Sequence, residues 1–309
     1  MSKRITLTCV DCGGGHACGL AIGLKKYGQV TSVWENRNKH GLDYLVPDAK
    51  FGYRRIPKEG DHLIIVSCIT WDRIKLFFGS YGWKRLLRNY GKVHIIITDG
   101  RFARYPEQYN PQFEGIDVLT TACKRHFRGD LPTKTYYQPF DLRDIWKEKY
   151  TKLTVAHSPF VPAKFREKGT VDIKRIVGLL DVDLDIITGV SWDECLRRKA
   201  PAHIFVDQID HYDRDKFKFR DPDYIWPALG KSGIEALHLG CAVITYGAKH
   251  DTEIPAPPVA WVTKDTFEET LLRLVNSPDE RDRLAHNGTD WALKYASYDY
   301  AARNVLGLN

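Results

Sequence analysis

GKSGIEALHLGCAVITYG, residues 230–247, reads as a helix, a glycine stop and a buried strand in direct succession. Residues 234–239 continue a helix, Gly240 ends it, and residues 242–245 form the short apolar run of a strand covered on both faces. The same rhythm runs upstream. Residues 153–156 read as a strand, 171–180 as a helix, 184–188 as a strand, 192–199 as a helix and 204–207 as a strand. Downstream, 266–276 and 278–295 read as helices, the second opening on Ser277-Pro278, an N-cap followed by proline at the first helical position. Residues 210–227, rich in charges and aromatics without periodicity, read as a long functional loop.

The first half alternates in the same way. Strands are expected at residues 5–10, 30–34, 62–68, 93–98 and 116–120, with helices at 17–26 and 81–90. Strands alternating with helices at this spacing mean parallel sheets with helices on both faces. A chain of 309 residues is long enough for two such domains. A boundary is expected near residue 150, giving 1–150 and 151–309, with the last helices packing back on the first domain. In sheets of this kind ligands bind beyond the carboxyl ends of the strands.

With 43% hydrophobic, 28% charged and 12% aromatic residues, the composition excludes disordered and low-complexity classes. No apolar run has transmembrane length, and MSKRITLTCVDCGGGH carries no signal-peptide core, so a cytoplasmic protein is expected, in the host cytoplasm if phage-encoded. Cys9, Cys12 and Cys18 lack a second ligand pair at zinc-finger spacing, and no metal is expected. Residues 1–150 hold 25 Lys+Arg against 15 Asp+Glu, net +10, whereas residues 151–309 hold 21 against 24, net −3. A basic half joined to a mildly acidic one points to a polyanionic partner for the first. Uneven surface decoration is the plainer reading.

Two short motifs carry little alone. Asp11-Cys-Gly-Gly-Gly-His16 follows a strand and opens a helix, which suits either a tight turn or an anion cradle. Gly230-Lys231-Ser232 has Ile225 where a P-loop needs its first glycine, so the nucleoside-triphosphatase reading fails.

Longer blocks are more informative. AHSPFVPAKFREKGTVDIKRIVGLL (156–180), LDIITGVSWDECLRRKAPAHIFVDQI (184–209) and residues 230–247 resemble, in order and spacing, the nucleotide-binding domain of GT-B glycosyltransferases, especially family 4. The resemblance covers about residues 150–305 and implies an α/β fold of two Rossmann-like domains facing across a cleft. It implies a nucleotide-sugar co-substrate (a UDP-sugar), no other cofactor, and a retaining outcome. It places Lys168 at the donor diphosphate, with Lys164 or Arg166 as companion cation. Glu235 falls at the donor ribose, His157 at the sugar or phosphate, and the amides of Ser232, Gly233 and Ile234 at the phosphates. Fixed cations stabilise a departing diphosphate, and a carboxylate is purely an acceptor for sugar hydroxyls. Pro227 stands where the family often has a further glutamate. On this reading Lys168→Ala and Glu235→Ala each abolish transfer while the fold survives.

The acceptor base stays open among Asp99, Asp11 and His16, which the topology places at strand ends, or is supplied by the leaving phosphate itself. Acceptor contacts are expected from Arg101, Arg104, Lys124 and Arg125. Further basic clusters are Arg54-Arg55 and Lys84-Arg85 with Arg88, and aromatics including Tyr53 and Trp83 interleave them. Cations with interleaved rings are the composition of a nucleic-acid surface. The expected activity is transfer of a sugar to a hydroxyl on a polyanion, with duplex DNA bearing hydroxymethylpyrimidines, as in phages, the sharpest version. Surface-glycan or lipid-carrier synthesis and a non-catalytic nucleotide-binding module are the alternatives.

Overall fold

The computed structural model describes residues 2–10, 16–36, 45–98, 106–120, 133–146, 148–159, 168–209, 229–247 and 253–308. The chain forms two compact units. The first comprises Met1–Pro139, Thr252–Ile254 and Ser297–Asn309, and the second Phe140–Asp251 and Pro255–Ala296. The first division falls between Pro139 and Phe140. Trp146 Nε1 donates to His238 O at 2.7 Å, and Lys149 Nζ donates to the carbonyls of Ala200, Ala202 and Leu239, so the stretch near 150 belongs to the second unit.

The first unit is built on seven strands: β1 (Lys3–Cys9), β2 (Gly28–Trp34), β3 (Lys50–Phe51), β4 (Gly60–Val66), β5 (Tyr90–Ile97), β6 (Asp117–Thr120) and β7 (Thr133–Thr135). They lie in the order β3-β2-β1-β4-β5-β6-β7 and every pairing is parallel. Helix α1 (His16–Leu24) follows β1, and α2 (Cys68–Arg88) follows β4. The sequence places the helix only at 81–90, because 62–70, HLIIVSCIT, continues the apolar β-rich run of the strand. Ser67 ends that run. At φ 83° it leaves the strand, and its Oγ accepts the amide of Thr70 at 3.2 Å, capping α2. Trp71 packs edge-on against Trp83 and Phe113 beneath the sheet.

The second unit holds β8 (Thr154–His157), β9 (Asp183–Ile186), β10 (Ile204–Gln208), β11 (Ala242–Tyr246) and β12 (Ala260–Val262). Their order is β12-β11-β10-β8-β9, again all parallel. Its helices are α3 (Thr170–Val177), α4 (Trp192–Lys199), α5 (Lys231–His238), α6 (Phe267–Asn276) and α7 (Pro278–Tyr295). A separate last helix, α8 (Tyr298–Leu306), belongs to the first unit. There Gly23 of α1 lies so close to it that a Cβ would sit 2.0 Å from the carbonyl oxygen of Tyr298. No helix among the described residues is long and apolar enough to cross a membrane.

Both sheets bury histidines. His94 stacks on His62 in the first unit, with Nδ1 of His62 3.0 Å from Nε2 of His94. His157 and His238 are buried in the second. Burial lowers the pKa of His94, His157 and His238 to about 4. The unfolded rings titrate near 6.5, so the unfolded chain binds more protons between these values. Stability is therefore full above pH 6.5, falls as the pH drops from 6.5 towards 4, and loses nothing more from these rings below that. Each ring contributes at most roughly 3 kcal/mol at 1.36 kcal/mol per unit. Denaturant melts between pH 7.5 and 4.5 should show this decline, and a flat profile would refute it.

Candidate functional site

In the second sheet the chain order reverses between β8 and β10, with β9 on one side and β11 and β12 on the other. Such a switch point is where a parallel sheet opens at its carboxyl edge. β10 ends there in an irregularity. Val206 pairs with Ile244 and Gln208 with Thr245, which leaves Asp207 as the extra residue of a bulge. Bulges re-aim side chains and gather next to functional sites. The Asp207 carboxylate is buried and takes two partners. Lys168 Nζ reaches Oδ1 at 3.0 Å, and the Gly230 amide donates to Oδ2 at 2.7 Å. A Cβ on Gly233 would lie 3.2 Å from that same oxygen, so a glycine leaves room for it.

Lys168 is held just before α3, where Gly169 at φ 72° adopts the left-handed conformation at the helix start. Its side chain is a quarter exposed (24%) while its ammonium is held by the buried Asp207 carboxylate, so Lys168 is fixed in place without being enclosed. α5 starts next to it. The amides of Gly233 and Ile234 close on the Gly230 carbonyl at 3.1 Å each and are spent within the helix. This corrects the expectation for Gly233 and Ile234. At the start of α5 the amides of Lys231 and Ser232 have no bonded partner among the described residues, and they carry the partial positive charge of the helix end.

Glu235, one turn into α5, is fully enclosed. Lys199 Nζ lies 2.5 Å from Oε2, Trp192 Nε1 donates to Oε1 at 2.7 Å, and Lys231 Nζ is 3.5 Å from Oε1. Burial alone would raise the carboxyl pKa, but the two ammoniums and the indole N–H outweigh it and hold it below the usual range. Burial likewise opposes the charge on Lys199, and Glu235 outweighs it, raising that pKa. Glu235 thus organises protein groups, and the Lys231 ammonium also rests 5.4 Å from the centre of the Trp192 ring. Glu235→Ala can no longer be expected to leave the fold intact, because it strands Lys199.

His157 is also corrected. Its ring is buried, with Nδ1 2.7 Å from the Val206 carbonyl and Nε2 2.8 Å from Thr170 Oγ1. A neutral ring donating to the carbonyl and accepting from the hydroxyl satisfies both, so His157 ties β8, β10 and α3 together and does not face a ligand. Lys164, Arg166, Asp11, Asp99, Arg101, Arg104, Lys124 and Arg125 lie outside the described residues. His16 opens α1, and its side chain lies outside the description as well. Asp207, Lys199 and Trp192 are not singled out from the sequence, and Lys231 enters only as part of the rejected P-loop motif. Asp207 had one signal, an acid closing the apolar run IFVDQ. Among the described residues no group of three or more His, Cys, Asp or Glu is placed to hold a metal.

No family model matches the chain, and no curated protein matches it. Solved structures do match over its full length. An α-glucosyltransferase in complex with UDP and a 13-mer DNA containing an HMU base aligns with TM-score 0.61 and 12% identity, over 100% of this chain and 99% of that one. Anabaena Alr3699/HepE in complex with UDP-glucose aligns with TM-score 0.63 and 10% identity, over 99% and 98%. The fold is GT-B. A putative UDP-N-acetylglucosamine 2-epimerase from Listeria monocytogenes shares it, with TM-score 0.59, 11% identity and coverage of 99% and 95%. The two parallel-sheet α/β units expected from residues 230–247 and their neighbours are thus the ones observed.

Proposed function

We propose that the protein transfers a sugar from a UDP-sugar to a hydroxyl on a polyanionic acceptor, and that the acceptor is DNA bearing hydroxymethylpyrimidines. The observation that carries the reading is the grouping, at one switch point, of a fixed and partly exposed Lys168 with the unbonded first amides of α5. A leaving diphosphate gathers negative charge as the glycosidic bond breaks. Preorganised cations and helix-end amides stabilise that charge without reorganising. Asp207 keeps Lys168 aimed, and Glu235 keeps Lys231 and Trp192 in place. Solved proteins of the same fold hold UDP or UDP-glucose.

The acceptor rests on charge and likeness. The net +10 of residues 1–150 suits a polyanion, and one solved structure of this fold holds DNA with an HMU base together with UDP. On this reading the first unit meets the acceptor and the second the donor. Lys164 and Arg166 supply further cations, and Arg101, Arg104, Lys124 and Arg125 supply acceptor contacts. The acceptor proton goes to Asp99, Asp11 or His16, or to the leaving phosphate in a retaining transfer. Release of UDP that depends on a hydroxymethylated duplex tests the reading. Release that ignores DNA would favour a glycan or lipid-carrier acceptor.

A further inference from the structure

One face of the first unit presents apolar side chains that the donor chemistry leaves unused. Leu76 and Tyr81 are more than four-fifths exposed, at 85% and 82%, and Phe77 is about half exposed. All three sit in α2 on either side of Gly79, whose φ 65°, ψ 169° breaks the helix. Phe77 packs edge-on against Tyr53, 6.0 Å between ring centres, which brings the exposed Arg54 and Arg55 of the neighbouring turn beside it.

Past the break, Tyr81, Lys84, Arg85 and Arg88 recur at i, i+3, i+4 and i+7, one face of a helix, and all four are exposed. Trp83 and Leu86, on the other face, are buried in the core. Among the described residues Lys84, Arg85 and Arg88 form no ion pair. The exposed groups of α2 are thus apolar on either side of the break and, beyond Tyr81, cations without an ion pair among the described residues.

We infer that this face of α2 is a duplex-DNA contact, in which Leu76, Phe77 and Tyr81 wedge into the minor groove at a base step while Lys84, Arg85 and Arg88 follow the phosphates. The inference rests on the DNA-acceptor reading above and assigns it a surface. Proteins that bend DNA insert apolar side chains between base steps and hold the backbone with cations. Anionic lipid is the other candidate for a basic and apolar surface. An interfacial helix, however, carries its apolar stripe along its length with cations at the edges. Beyond Tyr81 the outward face of α2 carries only cations, and most of the cations are arginines, the better partner for phosphate oxygens.

The test uses the full chain, a labelled unmodified duplex carrying 2-aminopurine, and a salt titration. All six positions are exposed, so variants there should fold. Lys84→Gln/Arg85→Gln/Arg88→Gln should weaken duplex binding at least tenfold and flatten the log K against log salt slope by about 2.7, near 0.9 for each lost contact. Leu76→Ser/Phe77→Ser/Tyr81→Ser should keep the slope and abolish the 2-aminopurine fluorescence rise that reports unstacking. Wild-type slope in the first variant or wild-type unstacking in the second overturns the surface. So does capture of the wild type by phosphatidylserine vesicles through these same residues while DNA leaves them untouched. Wild-type UDP release is measured in parallel. If it needs hydroxymethylated DNA and both variants match the wild type, this surface is wrong and the acceptor reading stands. If it ignores DNA, the acceptor reading has failed first.

Discussion

A Glu235→Ala variant is expected to lose about 3–5 kcal/mol of folding stability, enough to unfold the second unit or leave it marginal. The reason is Lys199. Its side chain is wholly buried and its ammonium lies 2.5 Å from Glu235 and 5.0 Å from the centre of the Phe205 ring. Without the carboxylate an ammonium is left inside the core, and its desolvation is uncompensated. Trp192 loses the acceptor of its indole N–H at the same time. Lys199→Met should be milder, because Glu235 keeps Lys231 and Trp192 as partners. The double variant Lys199→Met/Glu235→Leu should recover most of the loss, since a buried pair replaced as a whole by apolar residues is often neutral. Denaturant melts of the four proteins check the order. A Glu235→Ala loss below about 1 kcal/mol would show that the pair is not the anchor described here.

Lys168→Gln is expected to cut transfer about 100- to 1,000-fold in kcat, the range found when one preorganised group is removed from a developing charge. Glutamine can still donate a hydrogen bond to Asp207, so α3, β10 and the start of α5 stay joined and the melting point should move little. The effect belongs in kcat because the diphosphate carries more charge in the transition state than in the bound donor. Steady-state kinetics beside a thermal melt separate the two properties. A kcat within threefold of wild type would remove Lys168 from the reaction. A collapse of the melt would make it a structural residue only.

The two outcomes differ because Glu235 partners the wholly buried Lys199 whereas Lys168 is partly exposed, and the two residues are also unequally legible in the sequence. Alternation of strands and helices is a local signal, and it carries the fold. Residues 192–199 read as a helix from spacing alone and form one with those bounds. The start of α2 is hidden because Ser67 interrupts an apolar run with a single backbone turn, an event without periodicity. Lys168 is picked out by the family resemblance, through its place in the Lys-Gly-Thr block. The ion pair of Glu235 is not legible, because its partner Lys199 lies 36 residues away and reads as one more cation at a helix end. His157 looks like a ligand-facing residue at a strand end until the Val206 carbonyl and Thr170 hydroxyl are seen to take both nitrogens. Asp207 is hinted at by an acid closing the run IFVDQ, but its aim becomes visible only once β10 and β11 are paired and the extra residue appears.

The central claim is that a UDP-sugar donor site serves a DNA acceptor, and one measurement meets it directly. Purified protein is mixed with UDP-glucose and related UDP-sugars, and free UDP is followed without DNA, with an unmodified duplex, and with the same duplex carrying hydroxymethylpyrimidines. UDP release that rises only with the hydroxymethylated duplex, in proportion to its modified bases, is the predicted result. Equal release in all three mixtures, or none with any donor, would contradict it.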